Sequence, residues 1–203
     1  MNPLPTVPGG YGAILADPPW AFATWSHIGL AGDKDQKNRG QRSRQAPYGT
    51  MSQDELTALP VADSAAKSCV LFLWVVQTQL PQAIELLRWW GFEFKSVAFA
   101  WIKGEGLPLL PDDVRVPIGC GYWTRAGFEQ CWLATRGHPK RLNADVRQVI
   151  LEPRREHSRK PDCVHARIER LVAGPYLELF ARNTPRPGWT AWGNEVGKYG
   201  EVA

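Results

Sequence analysis

The sequence predicts an α/β domain: a largely parallel sheet with helices on both faces. Three observations carry that reading. Short apolar runs rich in β-branched and aromatic residues recur along the chain, and segments with helical spacing fall between them. That alternation is what a parallel sheet needs, because a crossover must return the chain before the next strand can pair. With 203 residues, 44% of them hydrophobic, one sizeable core is within reach, so a single domain is expected over 1–203.

Composition narrows the class. The formal charge of +4 permits a polyanionic partner without demanding one. Cys69, Cys120, Cys131 and Cys163 show no close pairing and no zinc spacing with the four histidines. Buried free thiols in a reducing cytoplasm, and no metal, are expected. The first residues lack the basic-then-apolar order of a secretory leader, and the longest apolar run, Cys69 to Val76, is far too short to span a bilayer. No membrane partner is expected.

Met1 to Gly10 is an irregular lead-in containing several Pro and Gly residues. Ile14-Leu15-Ala16 then reads as a buried central strand, ended by Asp17-Pro18-Pro19-Trp20, since neither proline has an N–H for a ladder. Asp17 thereby stands at a strand's carboxyl end, where open α/β sheets place their ligands. At average composition this tetrapeptide arises by chance about once per million positions, so it is specific enough to anchor a functional reading. It suits chemistry at the exocyclic amine of a nucleobase, whose lone pair is delocalised into the ring. A carboxylate and the Pro18 carbonyl, both accepting hydrogen bonds from the NH2 group, steer nitrogen towards tetrahedral geometry and free that lone pair. Trp20, with Pro19 beside it, stacks on the extruded base for about 1–3 kcal/mol.

Ala21 to Pro47 keeps neither helical nor strand period and carries Lys34, Lys37, Arg39, Arg42 and Arg44 against Asp33 and Asp35. It reads as a long basic active-site loop (21–47) or a solvated insertion. Ser52-Gln53-Asp54-Glu55 has capping-box form and starts a short helix ending near Pro60. Cys69 to Val76 is a buried parallel strand, and Leu80, Ile84 and Leu87 mark a helix with Pro81 early in it and Gly91 after it. Phe92 to Trp101 is the next strand, with Lys103 beyond its end, within reach of a phosphate or the base pocket, or simply solvated.

Leu107 to Gly119 is a proline-rich connection. Trp123, Arg125 and Glu129 follow and read, on the residues alone, as a core Trp with a surface ion pair. Strands are expected at Gln130–Ala134, Val149–Leu151, Tyr176–Phe180 and Trp189–Trp192. Arg136 to Lys160 concentrates basic residues and is the best candidate for a phosphate-tracking surface. Lys160-Pro161-Asp162 opens a helix on which Val164, Ile168 and Leu171 share a face, and a cation at a helix start suits a carboxylate ligand. Gly193-Asn194-Glu195 closes the last strand with an amide and a carboxylate able to bind ribose hydroxyls.

At Asp17-Pro18-Pro19-Trp20 the chain resembles the MT-A type family of S-adenosylmethionine-dependent N6-adenine methyltransferases, in a bacterial or phage-like form. The likeness continues through Tyr48-Gly49-Thr50-Met51-Ser52, Leu71 to Val75, Trp101-Ile102-Lys103, His157 to Asp162, Glu178-Leu179-Phe180 and Trp192-Gly193-Asn194, covering nearly the whole chain. The resemblance implies a Rossmann-like methyltransferase fold in permuted motif order, with the cofactor-binding elements after the acidic motif. It implies a catalytic corner of Asp17, Pro18, Pro19 and Trp20, and S-adenosylmethionine held by Asp17, Lys160, Phe180, Arg182, Asn183, Asn194 and Glu195. The substrate is then held by Trp20, Tyr48, Lys103, Trp123, Arg125 and Glu129. Nucleic acid is the implied partner, DNA first and RNA second. A cytosine N4 target, a non-catalytic nucleic-acid-binding partner subunit and homodimerisation stay open.

Overall fold

A computed structural model describes residues 2–20, 49–104, 127–156 and 158–200. The basic loop at 21–47, the proline-rich connection, Tyr48, Trp123 and Arg125 lie outside the described residues.

The described chain forms β1 (Tyr11–Ala16), α1 (Gln53–Thr57), α2 (Val61–Ser64), β2 (Ala65–Val75), α3 (Leu80–Trp89), β3 (Glu93–Lys103), β4 (Phe128–Arg136), β5 (Val149–Glu152), α4 (Cys163–Leu171), β6 (Tyr176–Leu179) and β7 (Trp189–Trp192). The strands build one sheet of order β5-β3-β4-β2-β1-β6-β7. Six of them run in one direction; β4 alone among the described strands is reversed, antiparallel to both β2 and β3. The expected mostly parallel sheet is therefore present. The reading of β2 as a wholly parallel strand needs correction, because β4 pairs with it from the opposite direction.

Both faces of the sheet are buried. In β2, Cys69, Leu71, Leu73 and Val75 point to one face, where they join Leu56 of α1, Val61 of α2 and Ala83, Leu86 and Leu87 of α3. Val70, Phe72 and Trp74 point to the other, with Val164 and Ile168 of α4. This is why residues 69–75 read as an unbroken apolar run: a strand covered on both sides has no polar face to alternate with. Ser52 caps α1 as a full capping box, its hydroxyl accepting from the Glu55 N–H while the Glu55 carboxylate accepts from the Ser52 N–H. The single turn α2 carries no periodic signal in the sequence and was not expected.

Trp90 fastens α3 to α1. Its ring is fully buried and its Nε1–H donates to the Leu56 carbonyl at 2.9 Å. Trp90→Ala is expected to cost about 3–5 kcal/mol through the cavity and the orphaned carbonyl, measurable as a lowered urea midpoint. None of the described helices is long and apolar enough to cross a membrane.

The shared strand direction brings chemistry to one edge. Asp17 follows β1, Lys103 ends β3, Phe180 follows β6 and Gly193 follows β7. The reversed β4 starts at that edge, so Glu129 arrives there too, and α4 presents its N-terminus with Lys160 just before it.

Candidate active site

Asp17 lies on the α4 face of the sheet by strand alternation, two residues after Leu15. The prolines make the corner rigid: the Trp20 N–H donates to the Pro18 carbonyl at 2.8 Å, and the Met51 N–H to the Pro19 carbonyl at 2.9 Å. A carbonyl oxygen has two lone pairs, so Pro18 keeps one for a ligand.

Four charged side chains meet at this corner with alternating sign. Lys160 Nζ lies 2.7 Å from Asp17 Oδ2 and 3.5 Å from Glu129 Oε2, and Lys103 closes the row on the other oxygen of Glu129. Burial pushes the Asp17 carboxyl above its ordinary pKa, and Lys160 and Arg182 reduce that rise without cancelling it. Burial would raise Glu129 as well, but Lys160 and Lys103 outweigh it and its pKa is lowered. For Lys160, burial opposes the charge, while Asp17 and Glu129 more than compensate and hold the ammonium protonated.

Beside Asp17 an open cleft is lined by Lys160, Phe180, Arg182 and Asn183. These four residues, expected to hold a cofactor, are thus brought together with Asp17. Arg182 is fixed by Glu195, Nε to Oε2 at 3.2 Å. Asn194 is exposed and borders a second recess with Asn2, Trp192 and Gly193. Phe180, which lines the first cleft, is in the left-handed backbone region (φ 61°) with its ring edge-on to Trp192 at 5.6 Å. A side chain in that region is strained, and such strain gathers at ligand sites. Gly193 does permit a close approach, but to the chain itself: a Cβ there would lie 2.7 Å from the Ala181 carbonyl oxygen.

Two expectations change. Trp20 is only 3% exposed, packs in the core and donates its Nε1–H to the Trp74 carbonyl at 3.2 Å. Its N–H is already spent, its ring packs in the core on the side of α1 and α3, and it does not line the cleft beside Asp17, so here it braces the corner rather than serving as a stacking platform. Pro19, partly exposed, keeps some open surface. The basic run from Arg136 to Lys160 is also divided by the reversed β4. Arg136 lies opposite Cys69, at the end of the sheet away from Asp17, and its guanidinium donates to the Ala62 carbonyl at 2.6 Å. Arg154, Arg155, Arg159 and Lys160 follow β5 back to the Asp17 edge. There Arg155 and Arg159 are both tied to Asp162.

Sequence reasoning missed several cleft residues. His165 on α4 is buried, with Nε2 at 2.8 Å from Glu178 Oε2. Trp74 lines the cleft from β2. Its parity with Phe72 was the available signal. Among the buried side-chain atoms left without a hydrogen-bond partner are Trp74 Nε1, His165 Nδ1 and Asn183 Oδ1, all from residues lining this one cleft. Native interiors rarely leave such groups unpaired, so the cleft offers polar contacts to water or to a ligand.

The MT-A70 family model matches residues 11–195. The chain belongs to the MT-A70 family. Among similar proteins is the N(6)-adenosine-methyltransferase MT-A70-like protein of Drosophila melanogaster, 32% identical over 94% of this chain and 28% of its own length. The type II methyltransferase M.MunI of Mycoplasma sp is 32% identical over 97% of this chain and 84% of its own length. The human N(6)-adenosine-methyltransferase catalytic subunit METTL3 is 31% identical over 93% of this chain and 28% of its own length. This chain therefore spans only about a quarter of the eukaryotic MT-A70 relatives it matches. MT-A70 membership fits the mixed α/β sheet and the acidic corner at its carboxyl edge.

Proposed function

We propose that this chain transfers a methyl group from S-adenosylmethionine to the N6 amine of adenine in nucleic acid, with DNA as the first substrate class. The observation that carries the reading is the Asp17 corner, which sets a carboxylate on a cleft whose lining residues hold unpaired buried polar atoms.

The residues present fit the cofactor. Charged groups at Asp17 and Lys160 and polar groups after β6 and β7 suit an extended molecule with a charged amino-acid end and a nucleoside end. Lys160 and Asp17 offer opposite charges to the amino-acid end, while Asn183, Glu195 and Asn194 offer hydrogen-bonding groups to the nucleoside end. When bound, the sulfonium supplies an electrophilic methyl group. Asp17 and the Pro18 carbonyl accept hydrogen bonds from the amine and aim its lone pair. The raised pKa of Asp17 makes it a better resting place for the proton that nitrogen sheds. Lys103 and Glu129 hold Lys160 against Asp17, so the corner is set before substrate arrives.

DNA is favoured over RNA because the match to M.MunI, a type II methyltransferase, runs over 84% of that protein. The test incubates protein with labelled S-adenosylmethionine and matched DNA and RNA oligonucleotides, then digests to nucleosides for mass spectrometry. N6-methyldeoxyadenosine is the expected product. N4-methylcytosine in its place removes adenine as the target, and product from RNA alone reverses the substrate order. Binding of nucleic acid with no cofactor binding and no product leaves the non-catalytic subunit.

A further inference from the structure

We infer that Trp74 reads the target base, its indole N–H donating to the ring nitrogen next to the reactive amine, which is N1 when the base is adenine. The inference rests on the methyl-transfer reading above.

Eight tryptophans lie among the described residues, and all but Trp89 are buried. Six of the seven buried indoles have an acceptor. Trp20 donates to the Trp74 carbonyl, Trp90 to Leu56, Trp101 to Glu152 and Trp192 to Asn2. Trp132 and Trp189 donate to the side chains of Gln130 and Glu169. The fold thus supplies a partner to every buried indole but that of Trp74, which is 2% exposed and whose Nε1 has none. A donor left unpaired in the interior is costly unless a ligand completes it.

Its position says which ligand. Ala16 pairs with Leu73, so Trp74 and Asp17 are the next residues on adjacent parallel strands, and both side chains lie on the α4 face. The Lys160 ammonium sits 2.7 Å from Asp17 and 5.5 Å from the centre of the Trp74 ring, tying the two together. Besides Asp17 and Lys160, the groups assigned to the cofactor follow β6 and β7, on one flank of β1. Trp74 is on β2, the opposite flank. Trp74 lines the same cleft as Asp17, so a base whose amine rests on Asp17 has the indole donor of the neighbouring strand beside it.

Adenine presents the amine as donor and N1 beside it as acceptor. An indole can only donate. Asp17 and Trp74 together therefore match an acceptor and a donor to an amino edge. A keto purine, with a carbonyl and an N1–H there, would set donor against donor at Trp74. Cytosine offers the same edge through N4 and N3, so the contact selects the amino edge and not the ring size.

The test is steady-state methylation of oligonucleotides carrying adenine, 1-deazaadenine or 7-deazaadenine at the target, by wild type and by Trp74→Phe, which keeps an aromatic filling and removes the N–H. Wild type should lose roughly tenfold in kcat/KM on 1-deazaadenine and much less on 7-deazaadenine. Trp74→Phe should lose a similar factor on adenine and show little further loss on 1-deazaadenine. Equal sensitivity of both proteins to removal of N1, or coupling to N7 instead, overturns the inference. Should Trp74→Phe fail to fold, the wild-type comparison decides: indifference to N1 overturns it. A wild type that methylates none of these oligonucleotides fails the parent reading and takes this one with it.

Discussion

Asp17→Ala should reduce methylation by about a thousandfold or more while the protein stays folded, because it removes the acceptor that orients and activates the amine. The side chain sits at the sheet edge, a quarter exposed, so its loss opens no core cavity. Asp17→Asn is the sharper companion: it keeps the shape but offers one carbonyl oxygen where the carboxylate offers two, and it cannot take a proton. The readout is N6-methyldeoxyadenosine formed per enzyme at saturating cofactor, with circular dichroism confirming the fold. Undiminished turnover by Asp17→Ala would remove this carboxylate from the chemistry.

Lys160→Ala is expected to weaken S-adenosylmethionine binding by roughly 10–100-fold, the scale of a lost charged hydrogen bond, and nucleic-acid binding by less. Calorimetry against each ligand separately gives the ranking, and the reverse order would count against a cofactor role. A second effect follows from its two partners. Lys160 lowers the Asp17 pKa, and Glu129 raises it. The carboxylate form of Asp17 must accept from the amine, so activity is present above its pKa and lost as pH falls through it. Removing the ammonium lifts that pKa, moving the acid limb of kcat to higher pH. Glu129→Gln removes a like charge and leaves Lys160 to Asp17 alone, moving the limb down. Shifts of the same sign in both variants would contradict the layout of the row.

What the sequence made legible was whatever is decided locally. The Asp17-Pro18-Pro19 corner follows from the missing proline N–H groups, and the Ser52–Glu55 cap needs only four residues of chain. Strand positions followed from apolar runs, and the helix of Val164 and Ile168 from its spacing. Direction and partnership were not legible. Nothing in Phe128–Arg136 announces that this strand runs backwards, and that reversal separates Arg136 from the arginines near Lys160. The fate of Trp20 hangs on the Trp74 carbonyl, 54 residues away in sequence. Glu129 was expected at the substrate site; its two lysine partners come from β3 and from the turn before α4, and only the folded sheet joins them. Trp74 looked like one more core residue of a buried strand until its neighbours' hydrogen bonds could be compared.

The row Lys103, Glu129, Lys160, Asp17 holds two positive and two negative charges within contact distance. Seen from a few Debye lengths away it nearly cancels, so the corner exerts little pull on a phosphate. A polyanion must be captured by cations elsewhere, Arg154 beside this edge among them, leaving the corner to discriminate an uncharged ring. Added salt should then weaken capture of the polymer far more than recognition of the base inside it.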